Sequence, residues 1–527
     1  MFAPVGASSG AKRVAILSSI VGLVVAAATL VHPFGPDQAL FHYVAREWLR
    51  HGAVPYRDSF DHKTPGIYAV HALVVAVFGD REWGIRVVEC AAMVPLAFAI
   101  ASIVTERNER PSAWLRGFSF LAVVVLYFGY FDYWSTAQCE LWGVLASIGA
   151  LWVALRSRLG PSTAAIVVGA LVAITALMKP PAALLAFVAI APLVIRARRE
   201  ASIAKTMAAC ALGIACVAVV VAGVLASMGA WSHAIDAVVR ANRHFVERER
   251  DARSFGEIAL RILRTHHDFD PLGLVVRFGP ILVLAFGRRR LSGELREAHA
   301  YAVALVVAAT IAVTWQGKFY GYHWSLLVAG EALAAAALAR DLERTLRKRI
   351  PSISRRVAIP SVALVVSFAL SGDPVSGWAR WFGHCGSFSM GRIDRGSFAR
   401  AFVAEGQIYY RGDIEDVGTW LRDHARPDDR LLVRGYQPGI YVTSRLSYGG
   451  RFFWDLPLVD PRKDYRRDEW LAEDRATFER IRPRFIVAIR DDNAAEISRP
   501  EWFALRGYRE VYARGHLVVM ERVTERT

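Results

Sequence analysis

Eleven apolar runs, at roughly 14–31, 84–104, 116–131, 139–155, 162–178, 180–195, 206–228, 272–287, 299–315, 323–339 and 357–371, decide what this chain can become. A bilayer's hydrocarbon core is about 30 Å thick and takes about 20 helical residues to cross. Within lipid a backbone amide must find its partner inside its own segment, so runs of this kind fold as helices. The pattern predicts an α-helical polytopic membrane protein of about eleven spans. A content of 54% apolar and 21% charged residues excludes a disordered chain and an ordinary soluble enzyme.

Charge orients the spans. The 64 basic and 48 acidic residues leave a formal net charge of +16. Residues 1–372 hold 38 Lys/Arg against 24 Asp/Glu, while residues 373–527 hold 26 against 24. The excess therefore sits in loops between spans, as cytoplasmic loops require, and gives no case for a nucleic-acid partner. Residues 65–79 are apolar but only 15 long and interrupted by His71. Reading them as an interfacial helix sends clusters such as Arg156/Arg158 and Arg196/Arg198 to the cytoplasm together with Lys12/Arg13. The exterior then receives a first loop at 32–83 with two short helices, a small loop at 132–138, a basic stretch at 229–271, and everything after 372. The expected division is a transmembrane domain over 1–372 and an extracytoplasmic α/β domain over 373–527, with a Gly/Ser-rich joint at 383–397. Short apolar runs at Leu431–Val433, Phe485–Ile489 and Leu517–Met520 supply the strands. The five cysteines are too scattered for a disulfide framework or a zinc site.

Polar residues gather at the outer ends of the spans. Pro36-Asp37 opens a helix carrying Leu40, Val44 and Trp48 on one stripe; Asp37 is either its N-cap or a functional carboxylate. Asp61, His62 and Lys63 fall just before Thr64-Pro65, a cap and first-turn pair, where cations meet lipid phosphates. Only 7 of the 64 basic residues are lysines, yet Lys63, Lys179 and Lys318 all fall at outer ends. Asp132 and Glu140 bracket the start of the fourth span, and Glu140 lies inside the apolar run, where a carboxylate needs a partner or a polar cavity. The alternative is an acid at the helix start favoured by the helix dipole. Arg277 either snorkels or lines the same cavity. His323, in WQGKFYGYHW, begins another span or belongs to an aromatic cluster at the interface.

The order GPDQALFHYVAREWLRHG, FDHKTPGIYAVHAL, FDYWSTAQCELWGV, TALMKPPAALLAFVAIAPL and GYHWSLLVAGEALAAAAL resembles the GT-C glycosyltransferases. It is most similar to the bacterial members of family 39, related to protein O-mannosyltransferases and the lipid A aminoarabinose transferase. The resemblance covers about residues 14–340. It implies that Asp37 is the catalytic general base, that Glu140 is the second acid, and that Lys63 with His62 meets the phosphate of a polyprenyl-phosphate sugar. Arg277 and Lys179 are further candidates for that phosphate, with Asp61, Asp132, His323 and Lys318 as neighbours of the site. The chain departs from the family pattern at Gln38, where a second acid is usual, at Thr64, and at Gln138-Cys139-Glu140.

The expected protein is an integral membrane glycosyltransferase of a bacterial inner membrane. It would move a sugar from a polyprenyl-phosphate carrier to an acceptor on the extracytoplasmic face, with membrane lipid around it. No cofactor is required by the sequence, and a divalent metal is compatible with the acids. Two other readings stay open: a non-catalytic component of envelope polysaccharide assembly, and a secondary transporter, against which the lack of an internal repeat counts.

Overall fold

The computed structural model describes residues 9–523 except 108, 201, 252–253, 255, 259, 261–270, 288–290, 348, 372, 403–408, 460–464 and 491–506; part of the basic 229–271 stretch thus lies outside the described residues. The chain begins with helices α1 (Ser9–Ala28), α2 (Pro36–His51), α3 (Pro65–Phe78), α4 (Glu82–Ile103), α5 (Ala113–Phe128), α6 (Cys139–Arg156) and α7 (Pro161–Met178). Every one of the eleven apolar runs is helical, the later ones at 180–200, 203–227, 271–286, 293–316, 321–346 and 353–369. Among the described residues seven helices are long and apolar enough to cross a membrane. Helices α5 and Pro271–Phe286 are apolar but shorter. Helix α3 has 14 residues, a rise of about 21 Å, short of the core's thickness.

The chain folds into two compact units of interleaved segments, residues 1–30, 86–220 and 254–383 in one, and 31–85, 221–253 and 384–527 in the other. In the first unit small residues let helices approach closely, as lipid-embedded packing demands. A Cβ at Gly117 of α5 would lie 2.7 Å from the Ala15 carbonyl of α1. Gly169 of α7 and Gly213 of helix Ile203–Ser227 leave even less room.

The second unit joins the segment 31–85 to the C-terminal region. Helices α2 and α3 pack through Ala45, Ala72 and Val75, with Trp48 over them. A four-stranded sheet has β1 (Leu431–Val433), β2 (Phe485–Ile489), β3 (Tyr508–Arg514) and β4 (Leu517–Arg522) in the order β1-β2-β4-β3. Strands β1 and β2 are parallel, with helix Arg467–Ile481 between them in sequence, and β4 runs antiparallel to both neighbours. The three apolar runs seen in the sequence are β1, β2 and most of β4. Strand β3 has a polar, half-exposed pattern, as an edge strand does, and gave no apolar signal. The joint expected at 383–397 is helical up to Ser389, because Phe388 and His384 stack on Phe398 at 4.3 and 5.2 Å.

Polar bonds knit loop and sheet region together. The buried Arg46 guanidinium donates to the Tyr441 and Leu446 carbonyls at 2.9 and 2.7 Å and to Glu47. Trp454 Nε1 donates to the Phe60 carbonyl at 2.8 Å, and the Phe60 amide donates to Arg451 O at 2.8 Å. Losing one partner of a buried charged group costs about 1.5–3 kcal/mol, so these bonds fix the loop on its support.

Candidate functional site

The second unit holds Asp37, Asp61, His62 and Lys63. Pro36 takes the first helical position of α2, where its missing N–H costs nothing. The N-cap is Gly35, so the capping role considered for Asp37 is taken by its neighbour and the carboxylate is turned to other partners. Asp37 is buried, and its Oδ1 accepts a hydrogen bond of 2.6 Å from the Tyr436 hydroxyl.

Tyr436 lies just past β1, in a segment held on every side. Gly435 adopts φ 101°, a conformation open to glycine, and its amide donates to Asp455 Oδ2 at 2.9 Å. Gln437 Oε1 accepts from the Tyr410 amide at 3.2 Å, and the Tyr436 ring leans on Trp454 at 5.6 Å. Arg434, one residue beyond β1, forms a fully buried pair with Asp474 at 2.8 Å. Burial pushes the Asp455 carboxyl up to about 7, against the pull of Arg434.

The FDHK segment is shaped by Tyr56, a non-glycine residue at φ 70° whose hydroxyl donates to Lys63 O at 2.8 Å. Asp61 is buried and accepts at 2.6 Å from both the Tyr68 hydroxyl and the His62 amide. Burial raises its carboxyl to about 6; Lys63 and the two hydrogen bonds oppose that rise, and the charge of Asp37 adds to it. Asp37 and Asp61 therefore lie close enough to feel each other. Lys63 Nζ sits 5.7 Å from the centre of the Phe41 ring on α2, and His62 Nδ1 lies 3.3 Å from Asp61 Oδ1.

The first unit holds the other candidates. Glu140 is buried in the first turn of α6 and pairs with Lys179, which ends α7. Lys179 Nζ is 5.2 Å from the Tyr322 ring, and that ring meets His323 at 4.6 Å. Lys318 occupies the connection ahead of that aromatic turn, beside Phe319 at φ 54°. Arg277 pairs with Glu331 at 2.6 Å. Asp132 is exposed, and its Oδ1 accepts from the Ser135 amide at 2.8 Å, which shapes the turn ahead of α6.

Three residues of that neighbourhood carried no motif. The buried Arg86 donates to Glu89, Thr136 Oγ1 and the Tyr133 carbonyl at 3.2, 2.8 and 2.9 Å. Glu89 also accepts from the Tyr127 hydroxyl at 2.7 Å and from the Ala137 amide. Ala137 stands at φ 52°, a conformation that persists only when its surroundings enforce it. Arg86, Glu89 and Tyr127 thus hold the turn that leads into Glu140. Glu89 lies inside the apolar run 84–104, and nothing in the sequence pairs it with Arg86 or Tyr127. Among the described residues no three His, Cys, Asp or Glu side chains group to hold a metal ion.

The chain is similar to the crystal structure of ArnT from Cupriavidus metallidurans bound to undecaprenyl phosphate, with a TM-score of 0.55 and 13% identity over 96% of this chain and 97% of that one. The apo structure of the same ArnT gives a TM-score of 0.54 and 14% identity over the same shares. The chain is an integral membrane protein with an ArnT-like fold. Residues 62–226 match the family model for dolichyl-phosphate-mannose-protein mannosyltransferase, so the resemblance carried by the loop motifs holds in both fold and family model. That match contains His62, Lys63, Asp132, Glu140 and Lys179, while Asp37 and Tyr436 lie outside it. No curated protein sequence matches the chain.

Proposed function

We propose that this protein is a GT-C glycosyltransferase that moves a sugar from a polyprenyl-phosphate carrier to a hydroxyl acceptor on the extracytoplasmic face of a bacterial inner membrane. The observation that carries the reading is the buried Asp37 carboxylate, which accepts a hydrogen bond from the Tyr436 hydroxyl and lies near Asp61, in a chain of ArnT-like fold. A carboxylate positioned at the acceptor hydroxyl can take its proton as the oxygen attacks.

In the proposed step the acceptor oxygen attacks the anomeric carbon while its proton passes to Asp37. The bond from that carbon to the phosphate oxygen breaks, and its electron pair leaves with polyprenyl phosphate, inverting the anomeric centre. Lys63, with His62 beside it, meets the phosphate charge that grows as the bond breaks; a fixed cation in a dry site stabilises such charge strongly. The ArnT structure named above binds undecaprenyl phosphate, in keeping with a donor of this class. Glu140 orients the acceptor in this reading. Lys179 and Arg277 are the further phosphate candidates, each already balanced by a carboxylate. Residues 373–527 form the extracytoplasmic domain.

The test is an assay of sugar release from lipid-linked donors in membranes from a strain lacking the gene, complemented with the wild-type chain or with Asp37→Asn. Accumulation of one polyprenyl-phosphate sugar in the deletion strain, reversed by the wild type and not by the variant, is the expected result. Full reversal by the variant removes Asp37 from the chemistry.

A further inference from the structure

A second polar cavity lies at the opposite end of α2 from Asp37. It has a volume of about 500 Å³ and is lined by the end of α2, the turn after α3, and Arg445. Four guanidinium groups face it, from Arg46, Arg50, Arg81 and Arg445, with His51 beside them and Asp80 as the single lining carboxylate. Residues 37 and 50 of one helix are about 20 Å apart along its axis, and no residue assigned to the donor lines this cavity. The site therefore stands or falls independently of the reaction proposed above.

The cations are unequally committed. Arg46 is buried and held by two carbonyls and Glu47, so it forms a rigid wall. Arg50 pairs with Asp80 at 2.7 Å. The nearby His42 is buried and pulled down to about 3 by burial and by Arg46 and Arg50, so it is neutral and adds no charge at Asp80. Among the described residues Arg81 and Arg445 form no ion pair; Arg81 lies 5.7 Å from the Trp83 ring.

Arg445 is the most telling residue. It ends helix Gly439–Ser444 in the left-handed conformation at φ 63°. Glycine serves that position without the clash of a Cβ with the backbone. Here the turn carries backbone strain and delivers an exposed guanidinium into the cavity. At Gly79, φ 68°, an added Cβ would meet only Arg50 Nη2, at 3.7 Å, so the cavity wall is open there.

The mouth is apolar. Val77 and Trp83, which line the cavity, are 63% and 39% exposed, and Leu73, one turn from Val77 on α3, is 58% exposed. In a membrane protein, exposed aliphatic and tryptophan side chains beside arginines mark the level where acyl chains meet headgroups. We infer that this cavity binds the phosphate headgroup of an anionic membrane lipid, with Arg81 and Arg445 on the phosphate and Leu73, Val77 and Trp83 against the acyl chain. The lipid would pin the α2–α3 hairpin that carries Asp37 and Lys63 into the leaflet.

The test uses the full-length protein exchanged into phosphatidylcholine and titrated with phosphatidylglycerol, with bound lipid counted by native mass spectrometry. At about 1 kcal/mol per arginine near the surface, Arg81→Ala combined with Arg445→Gly is expected to weaken binding roughly 30-fold. Arg445→Gly alone relieves the strained turn, so its loss of several-fold in affinity must come with unchanged or higher thermal stability. Equal phosphatidylglycerol affinity in wild type and double variant overturns the proposal. So does displacement of the lipid by millimolar inorganic phosphate with no added gain from the acyl chains, which would assign the cavity to a soluble phosphate ester.

Discussion

The two units manage their buried acids differently. In the first, each carboxylate singled out has a cation: Glu140 has Lys179, Glu331 has Arg277, and Glu89 has Arg86. In the second, the acids of the candidate site also take hydroxyls: Asp37 accepts from Tyr436, and Asp61 accepts from Tyr68 with His62 Nδ1 3.3 Å away. An ion pair stabilises the charged form of a carboxylate and lowers its basicity, whereas a phenol lowers it less. The first arrangement suits structure and charge balance in a poorly hydrated bundle. The second sets a tyrosine hydroxyl on each carboxylate, and the chemistry is proposed for Asp37.

The sharpest way to break this contrast is to remove a cation from the first unit. Lys179→Met leaves Glu140 buried and uncompensated, at an expected cost of about 3–5 kcal/mol in stability. Thermal unfolding in detergent should show the loss, and adding Glu140→Gln should recover most of it. A Lys179→Met protein as stable as wild type would mean that the pair is not structural.

Lys63→Met probes the second unit. Removing a charge-assisted contact worth about 1.5–3 kcal/mol is expected to raise the donor KM by roughly 10- to 100-fold, with stability little changed. Smaller still is Tyr436→Phe, which removes the hydroxyl on Asp37 while keeping the ring on Trp454. Losing the hydroxyl that positions the carboxylate is expected to lower kcat by about 10-fold with the donor KM unchanged. A purely structural role for Tyr436 would lower stability and leave kcat of the folded protein in place.

The smallest expected effect belongs to Asp61. Its folded value of about 6 lies above that of an unfolded aspartate. The stability gained by holding its proton is complete below about pH 4 and is lost as pH rises through about 6. Over the same rise a negative charge appears beside Lys63 and competes with the donor phosphate, so the donor KM should increase by a few-fold. Asp61→Asn is expected to erase that inflection; a profile unchanged in the variant would assign the inflection elsewhere.

Much of this was legible in the sequence because its signals are local. An apolar run of bilayer length has only a helix to fold into, and all eleven did so. Asp61, His62 and Lys63 are adjacent in the chain, so their grouping follows from the segment itself. The pairings were a different matter. Glu140, Lys179 and Arg277 each stood out as charges in or at the ends of spans, yet which acid meets which base depends on helix packing. Tyr436 left no trace at all: it is a lone tyrosine after a three-residue strand, 399 positions from the carboxylate it touches. Gly35 took the cap expected of Asp37 because a glycine at an extended φ/ψ enters the helix as readily as a side-chain acceptor does.

The central claim is that Asp37 is the base of the transfer. Purified full-length protein, a polyprenyl-phosphate sugar and the acceptor identified from the deletion strain allow a single-turnover measurement of sugar transfer. With Asp37→Asn the donor should still bind, while the rate falls by about 10²- to 10⁴-fold, as removal of a general base predicts. A single-turnover rate within a few-fold of wild type, with folding and donor binding intact, would contradict the account.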